Sequence, residues 1–128
     1  MKLYQQNKEK RNLNQQINYL MSYSVEVTSF FENQIKRLSK KYPSIKIEFA
    51  ELISTLKENP VQGKNLGNNC YKIRLAIASK GKGKSGGARV ITYVQIVHTK
   101  VYRLSIYDKS EQSDIKDKDL LSWLDMIK

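Results

Sequence analysis

The sequence predicts an α+β protein with element order β-α-α-β-β-β-α, a helical hairpin packed on a small antiparallel sheet with a C-terminal helix. Three observations predict it. Apolar residues recur at helical spacing from 29 to 57. The period then drops from 3.6 to 2 through three segments between 71 and 107. Helical spacing returns after 116.

The elements follow in order. Residues 23–28 alternate apolar and polar and read as a short strand. Ser29 precedes Glu32 by three, a capping-box spacing that opens a helix with Phe30, Phe31, Ile35 and Leu38 on one stripe. Tyr42-Pro43 ends it, because proline disfavours helical geometry in the preceding residue. A second helix spans about 44–57, with Ile45, Phe49, Leu52, Ile53 and Leu56 as its stripe, and Asn59-Pro60 stops it. The short link makes the pair an antiparallel hairpin.

In 71–77, Tyr71, Ile73, Leu75 and Ile77 point one way and Lys72, Arg74 and Ala76 the other. In 88–97, Val90, Val94 and Ile96 share one face, with Arg89, Ile91, Tyr93 and Gln95 opposite. In 101–107, Tyr102, Leu104 and Ile106 point inward, and Val101, Arg103, Ser105 and Tyr107 outward. His98-Thr99 forms the turn between the last two strands. A third helix covers about 116–127, with Leu120, Leu121, Leu124 and Ile127 inward and Trp123 as its anchor. Short links favour an antiparallel meander with one face on the helices and one in water.

A length of 128 residues predicts one domain, over 21–128. Residues 1–20, rich in Asn, Gln and Lys, read as an N-terminal extension, helical or disordered. No apolar run approaches the roughly 20 residues that cross a bilayer, and the N-terminus lacks the apolar region of a secretory signal. One cysteine, Cys70, excludes an internal disulfide framework. The expected compartment is the cytoplasm, with no membrane partner.

The net charge is +11, and its placement is uneven. Residues 59–107 contain no acid and nine cations, so that segment alone contributes +9. A localised positive field predicts a polyanionic partner, and nucleic acid is the commonest. Strand alternation puts Lys72, Arg74, Arg89, Tyr93, Arg103 and Tyr107 on the face away from the apolar set, an RNA-binding surface of cations and phenols.

The loop 78–85, ASKGKGKS, resembles a loose P-loop. A P-loop must open a helix and work with a magnesium-binding acid, whereas glycines and a β-branched strand follow here. Its Lys80, Lys82 and Lys84 read instead as a flexible cationic arm for phosphate contact. No metal site or cofactor is expected, since the chain has one His, one Cys and no acid in the basic segment. His98 is expected exposed in its turn, and Cys70 packed. RNA can still be cut by its own 2′-hydroxyl if cations stabilise the phosphorane and one lysine, its pKa lowered by neighbours, acts as base. Composition leaves binding and catalysis both open.

Three segments carry a resemblance: Cys70-Tyr71-Lys72-Ile73-Arg74-Leu75, the run from Lys82 to Ile91 (KGKSGGARVI), and the run from Ile106 to Asp114 (IYDKSEQSD). Together they resemble the RelE/ParE toxin superfamily, in its RelE and HigB branches, over about 23–125. The resemblance implies a type II toxin, a metal-independent endoribonuclease that cleaves mRNA on the ribosome. Its implied partners are a cognate antitoxin, mRNA and ribosomal RNA. Position by position it implies catalytic roles for Lys72, Arg74, Arg89 and Lys109 on the scissile phosphate. The tyrosine that RelE carries near its C-terminal helix is Ile115 here, and Tyr107 is the nearest substitute. A ParE-like gyrase inhibitor without nuclease activity and a non-catalytic RNA-binding protein on the same fold are the alternatives.

Overall fold

The computed structural model describes residues 22–127 apart from 82, 84 and 85. The expectations for residues 1–20, Lys82 and Lys84 lie outside the described residues. Strand β1 (Ser24–Val27) is followed by helices α1 (Ser29–Lys41) and α2 (Ile45–Glu58), then by strands β2 (Lys64–Gly67), β3 (Cys70–Leu75), β4 (Ala88–Gln95) and β5 (Lys100–Asp108) and helix α3 (Asp117–Asp125). The α+β fold class and the helical hairpin stand as expected. No described helix is long and apolar enough to cross a membrane.

Helix α1 is capped one residue earlier than expected. Thr28 Oγ1 accepts from the Phe31 N–H at 3.2 Å and donates to the Arg103 carbonyl at 2.9 Å. The same hydroxyl thus starts the helix and ties it to β5.

The sheet has five strands in the order β1-β5-β4-β3-β2. It is mixed, because β1 runs parallel to β5 while the other pairs are antiparallel. The unexpected strand is β2. Its sequence KNLG has one apolar residue and no alternation, so the period-2 signal is missing. A two-residue turn creates it, with Asn68 at φ 53° and Asn69 at φ 60°, the left-handed geometry of a tight hairpin.

Both faces of the sheet are covered, which corrects the expectation that one would face water. On one face, Phe31, Leu38, Ile45, Phe49, Leu52 and Leu56 from the hairpin pack on Ile73, Leu75, Val90 and Ile106. On the other, α3 brings Leu120, Trp123 and Leu124 onto Cys70, Ile91, Leu104 and Tyr107. Helix α1 also guards the sheet edge beyond β1, where Gln34 Oε1 accepts from the Ile106 N–H at 3.1 Å. Phe30 at its start stacks on Trp123 at 5.6 Å.

A bulge in β5 explains a second correction. Ile91 pairs with Ser105 and Thr92 with Arg103, so Leu104 is an extra residue. Leu104 and Ile106 therefore lie in opposite cores, although strict alternation put them together. Strand β4 stops at Gln95, leaving Ile96 exposed in the turn rather than aligned with Val90 and Val94.

Candidate functional site

The register of β3, β4 and β5 assembles the basic residues. Arg74 lies directly opposite Arg89, and Arg89 opposite Tyr107, in one row across three strands. Lys72 lies one row away with Lys64 of β2 opposite it. Like charges placed directly across a sheet destabilise it, so folding alone gives no reason for this arrangement. All of these side chains share the α3 side of the sheet, since Ile73, Leu75 and Val90 between them point into the hairpin core.

Two glycines permit the packing here. A Cβ on Gly63 would sit 2.2 Å from the Lys72 carbonyl oxygen, and one on Gly87 2.1 Å from that of Leu75. Lys109, just past β5, continues the ladder by donating its N–H to the Gly87 carbonyl at 3.0 Å. Its Nζ donates to the Ser113 carbonyl at 2.8 Å. An open groove is lined by Lys64, Lys72, Arg74, Arg89 and Lys109, together with Glu48 and Glu51 of α2.

An acid sits among the cations. Asp114 Oδ1 accepts from Lys72 Nζ at 3.2 Å and from the Ile115 N–H at 2.9 Å. The Ile115 N–H above all, with Lys72 and Lys109, holds its carboxyl below the usual range, against burial, which acts to raise it. Asp114, Lys64 and the groove acids Glu48 and Glu51 are site residues that sequence reasoning missed. Lys64 sits on the strand without alternation. Asp114 lies inside a segment used for the resemblance, but no spacing rule marks it as a neighbour of Lys72, 42 residues away.

Other expected site residues take different places. Arg89 was expected exposed, yet it is only 4% exposed and its Nη1 donates to the Ala88 carbonyl at 3.1 Å. Tyr107 is also 4% exposed, and its hydroxyl is shielded without a hydrogen-bond partner among the described residues. That hydroxyl is closed off from any ligand in this conformation. Burial raises the Tyr107 pKa, Asp114 pushes the same way, and Arg89 pulls against both.

Arg103 does not join the basic face, because the β5 bulge turns it to the hairpin side. Its guanidinium lies 5.7 Å from the Phe31 ring centre and 5.8 Å from that of Phe49, and its Nε donates to the Glu26 carbonyl at 3.2 Å. Tyr93 is on the α3 side but stacks on Tyr102 at 6.0 Å. It is four residues, roughly 13 Å, along β4 from Arg89. Cys70 is fully buried, and burial pushes its thiol up to about 11.

Lys80 is a structural cation rather than part of a flexible arm. Residues Ala78–Lys80 form a 3₁₀ turn held to α2 by the Ser79 N–H donating to Ser44 Oγ at 3.0 Å. Lys80 Nζ pairs with the buried Asp108 carboxylate. Asp108 also accepts from the Tyr42 hydroxyl at 2.7 Å, the Ser110 N–H at 3.0 Å and Ser110 Oγ at 2.8 Å. Burial acts to raise its pKa, but the bonds from Lys80, Tyr42 and Ser110 outweigh it and hold the carboxyl far below its ordinary value. Glu111, bonded to Arg37 at 3.0 Å and Lys41 at 2.9 Å, ties the same segment to α1. These anchors fix the segment that carries Lys109 and Asp114. No group of three or more His, Cys, Asp or Glu among the described residues could hold a metal ion.

A helical hairpin, a mixed five-stranded sheet and a cationic groove define a small α+β protein with one concentrated basic site. The model of the family described as "RelE toxin of RelE / RelB toxin-antitoxin system" matches residues 29–128. The chain belongs to the RelE toxin family. Two solved structures of one toxin agree on the fold. A double arginine variant of Escherichia coli toxin RelE in the free state is 17% identical, covers 84% of this chain and all of its own, and has a TM-score of 0.55. The isolated E. coli RelE toxin is 18% identical, covers 84% of this chain and all of its own, with a TM-score of 0.50. The RelBE2 toxin–antitoxin complex of Mycobacterium tuberculosis is 20% identical over 69% of this chain and 92% of its own, with a TM-score of 0.49.

Proposed function

We propose that this RelE-family chain is an endoribonuclease that cuts mRNA on the ribosome without a metal, and that a cognate antitoxin neutralises it by covering or distorting the basic groove. The observation that carries the reading is the gathering of Lys72, Arg74, Arg89 and Lys109 in one groove. The 2′-hydroxyl attacks the adjacent phosphorus, and negative charge builds on the phosphorane oxygens. Preorganised cations stabilise that charge more than the ground state, which is what accelerates the step. Exposed Arg74 and partly exposed Lys109 hold the phosphate directly. Buried Arg89 presents a fixed charge beneath it. Lys82 and Lys84, which precede β4 in sequence, supply further cations for phosphate contacts that carry no sequence information.

The test is induction of the chain in cells followed by mapping of mRNA 5′ ends. Cuts inside translated codons, abolished by Lys109→Ala in a protein that still folds, are the expected result. DNA-damage signalling with intact mRNA would replace this reading with gyrase poisoning. Growth without either effect would leave a non-catalytic RNA-binding protein.

A further inference from the structure

We infer that the Asp114 carboxylate, rather than a lysine, is the general base that takes the 2′-hydroxyl proton. The inference rests on the ribonuclease reading above. Three observations carry it. First, Asp114 sits inside the cationic cluster, with Lys72 bonded to it and the charge of Lys109 acting on it. Second, its two oxygens are unequally used. The bonds from Lys72 Nζ and the Ile115 N–H both end on Oδ1, which leaves Oδ2 without a partner among the described residues. Third, the side chain is 62% exposed, so Oδ2 is open to a bound nucleotide, whereas the Tyr107 hydroxyl beneath it is sealed. Lys72 already donates its ammonium proton to this carboxylate and serves as a cation.

Asp114 Oδ2 takes the proton of the 2′-hydroxyl, the 2′-oxygen bonds to phosphorus, and the bond from phosphorus to the 5′-oxygen breaks. The electron pair stays on the 5′-oxygen, which takes a proton from the Lys109 ammonium. The products are a 2′,3′-cyclic phosphate and a 5′-hydroxyl, and both side chains re-equilibrate with water. The groups facing Asp114 are Lys72 of β3, Lys109 of its own segment, Tyr107 of β5 and, beside that phenol, Arg89 of β4. The Ile115 N–H, with Lys72 and Lys109, holds the Asp114 carboxyl below its ordinary range, so it is ionised throughout the neutral range.

The test is the cleavage rate of the full chain on mRNA-programmed ribosomes between pH 6 and 8. With an ionised carboxylate as base the wild-type rate is flat, whereas a lysine base makes it rise about tenfold per pH unit below the lysine pKa. Asp114→Asn is expected to lose at least about 100-fold in rate while still binding ribosomes that carry a non-cleavable 2′-deoxy message. Its residual rate should rise with pH, and Asp114→Glu should recover part of the loss. A wild-type rate rising tenfold per unit would overturn the assignment without any variant. So would an Asn variant within threefold of wild type, or one that loses binding and cleavage together. Absence of cleavage by the wild type would sink the ribonuclease reading itself, an outcome visible before any Asp114 variant is made.

Discussion

The Tyr107 hydroxyl gives the sharpest stability prediction. Its oxygen is shielded from water and has no partner, while the rest of the ring packs in the α3 core with Leu120 and Leu104. Burying a hydroxyl without a compensating bond costs about 1–3 kcal/mol. Tyr107→Phe removes that cost and leaves only a small void, so a net gain of about 1 kcal/mol is expected. For a domain of this size that raises Tm by roughly 4 °C. Urea and thermal unfolding at neutral pH measure it. A pH series adds a second reading. The folded phenol titrates above its ordinary value, so the unfolded chain releases the proton first as pH rises. The wild type should therefore lose stability above about pH 10, the ordinary tyrosine value, and the Phe variant should lose less. The cleavage proposed above should survive, because the hydroxyl is sealed from any ligand. A variant destabilised by more than about 0.5 kcal/mol would refute the reasoning, since it would mean the hydroxyl has a partner in solution. A large loss of cleavage at unchanged stability would show that the site opens to expose this group.

Two further outcomes are expected. Asp108→Asn keeps the shape of a fully buried side chain but leaves the Lys80 ammonium, 8% exposed, without its anion. The expected cost is about 3–5 kcal/mol in urea unfolding. Because the folded Asp108 carboxyl titrates below its unfolded value of about 3.9, its stabilisation is present above that pH and fades as pH falls below it, so the variant should show a flatter acid limb. Arg74→Ala removes an exposed cation that faces Arg89 across the sheet. Stability should stay level or rise by up to about 0.5 kcal/mol while cleavage falls at least about tenfold. A loss above about 1 kcal/mol would make Arg74 a structural residue instead.

The stability of the site depends on residues outside the groove. Asp108 joins the end of β5 to the hairpin link through Tyr42 and to the turn after β3 through Lys80. Glu111 then binds α1 two residues beyond Lys109. The segment 109–116 lacks regular structure of its own, and these anchors hold it against the sheet. They also explain why two cations outside the groove, Lys41 and Lys80, were drawn into the framework rather than left for a ligand.

Periodicity along the chain made both helices of the hairpin, strands β3, β4 and β5 and the C-terminal helix legible, because each buries one regular stripe and a buried stripe must repeat with the backbone. The same alternation put Lys72, Arg74 and Arg89 on one face, and the acid-free segment marked that face as basic. Only tertiary contact decided the rest. The parallel β1–β5 pair and the short β2 depend on partners distant in sequence, which no local period records. The extra residue Leu104 breaks the parity of β5, so Arg103 crosses to the hairpin core while Tyr107 stays beside Arg89. Lys80 is paired and Arg89 buried because Asp108 and the strand row surround them, and charge alone does not reveal burial. Asp114 meets Lys72 only when the segment after β5 folds back over β3. Local pattern fixes which way a side chain points, whereas the partner it meets is set by how distant segments pack.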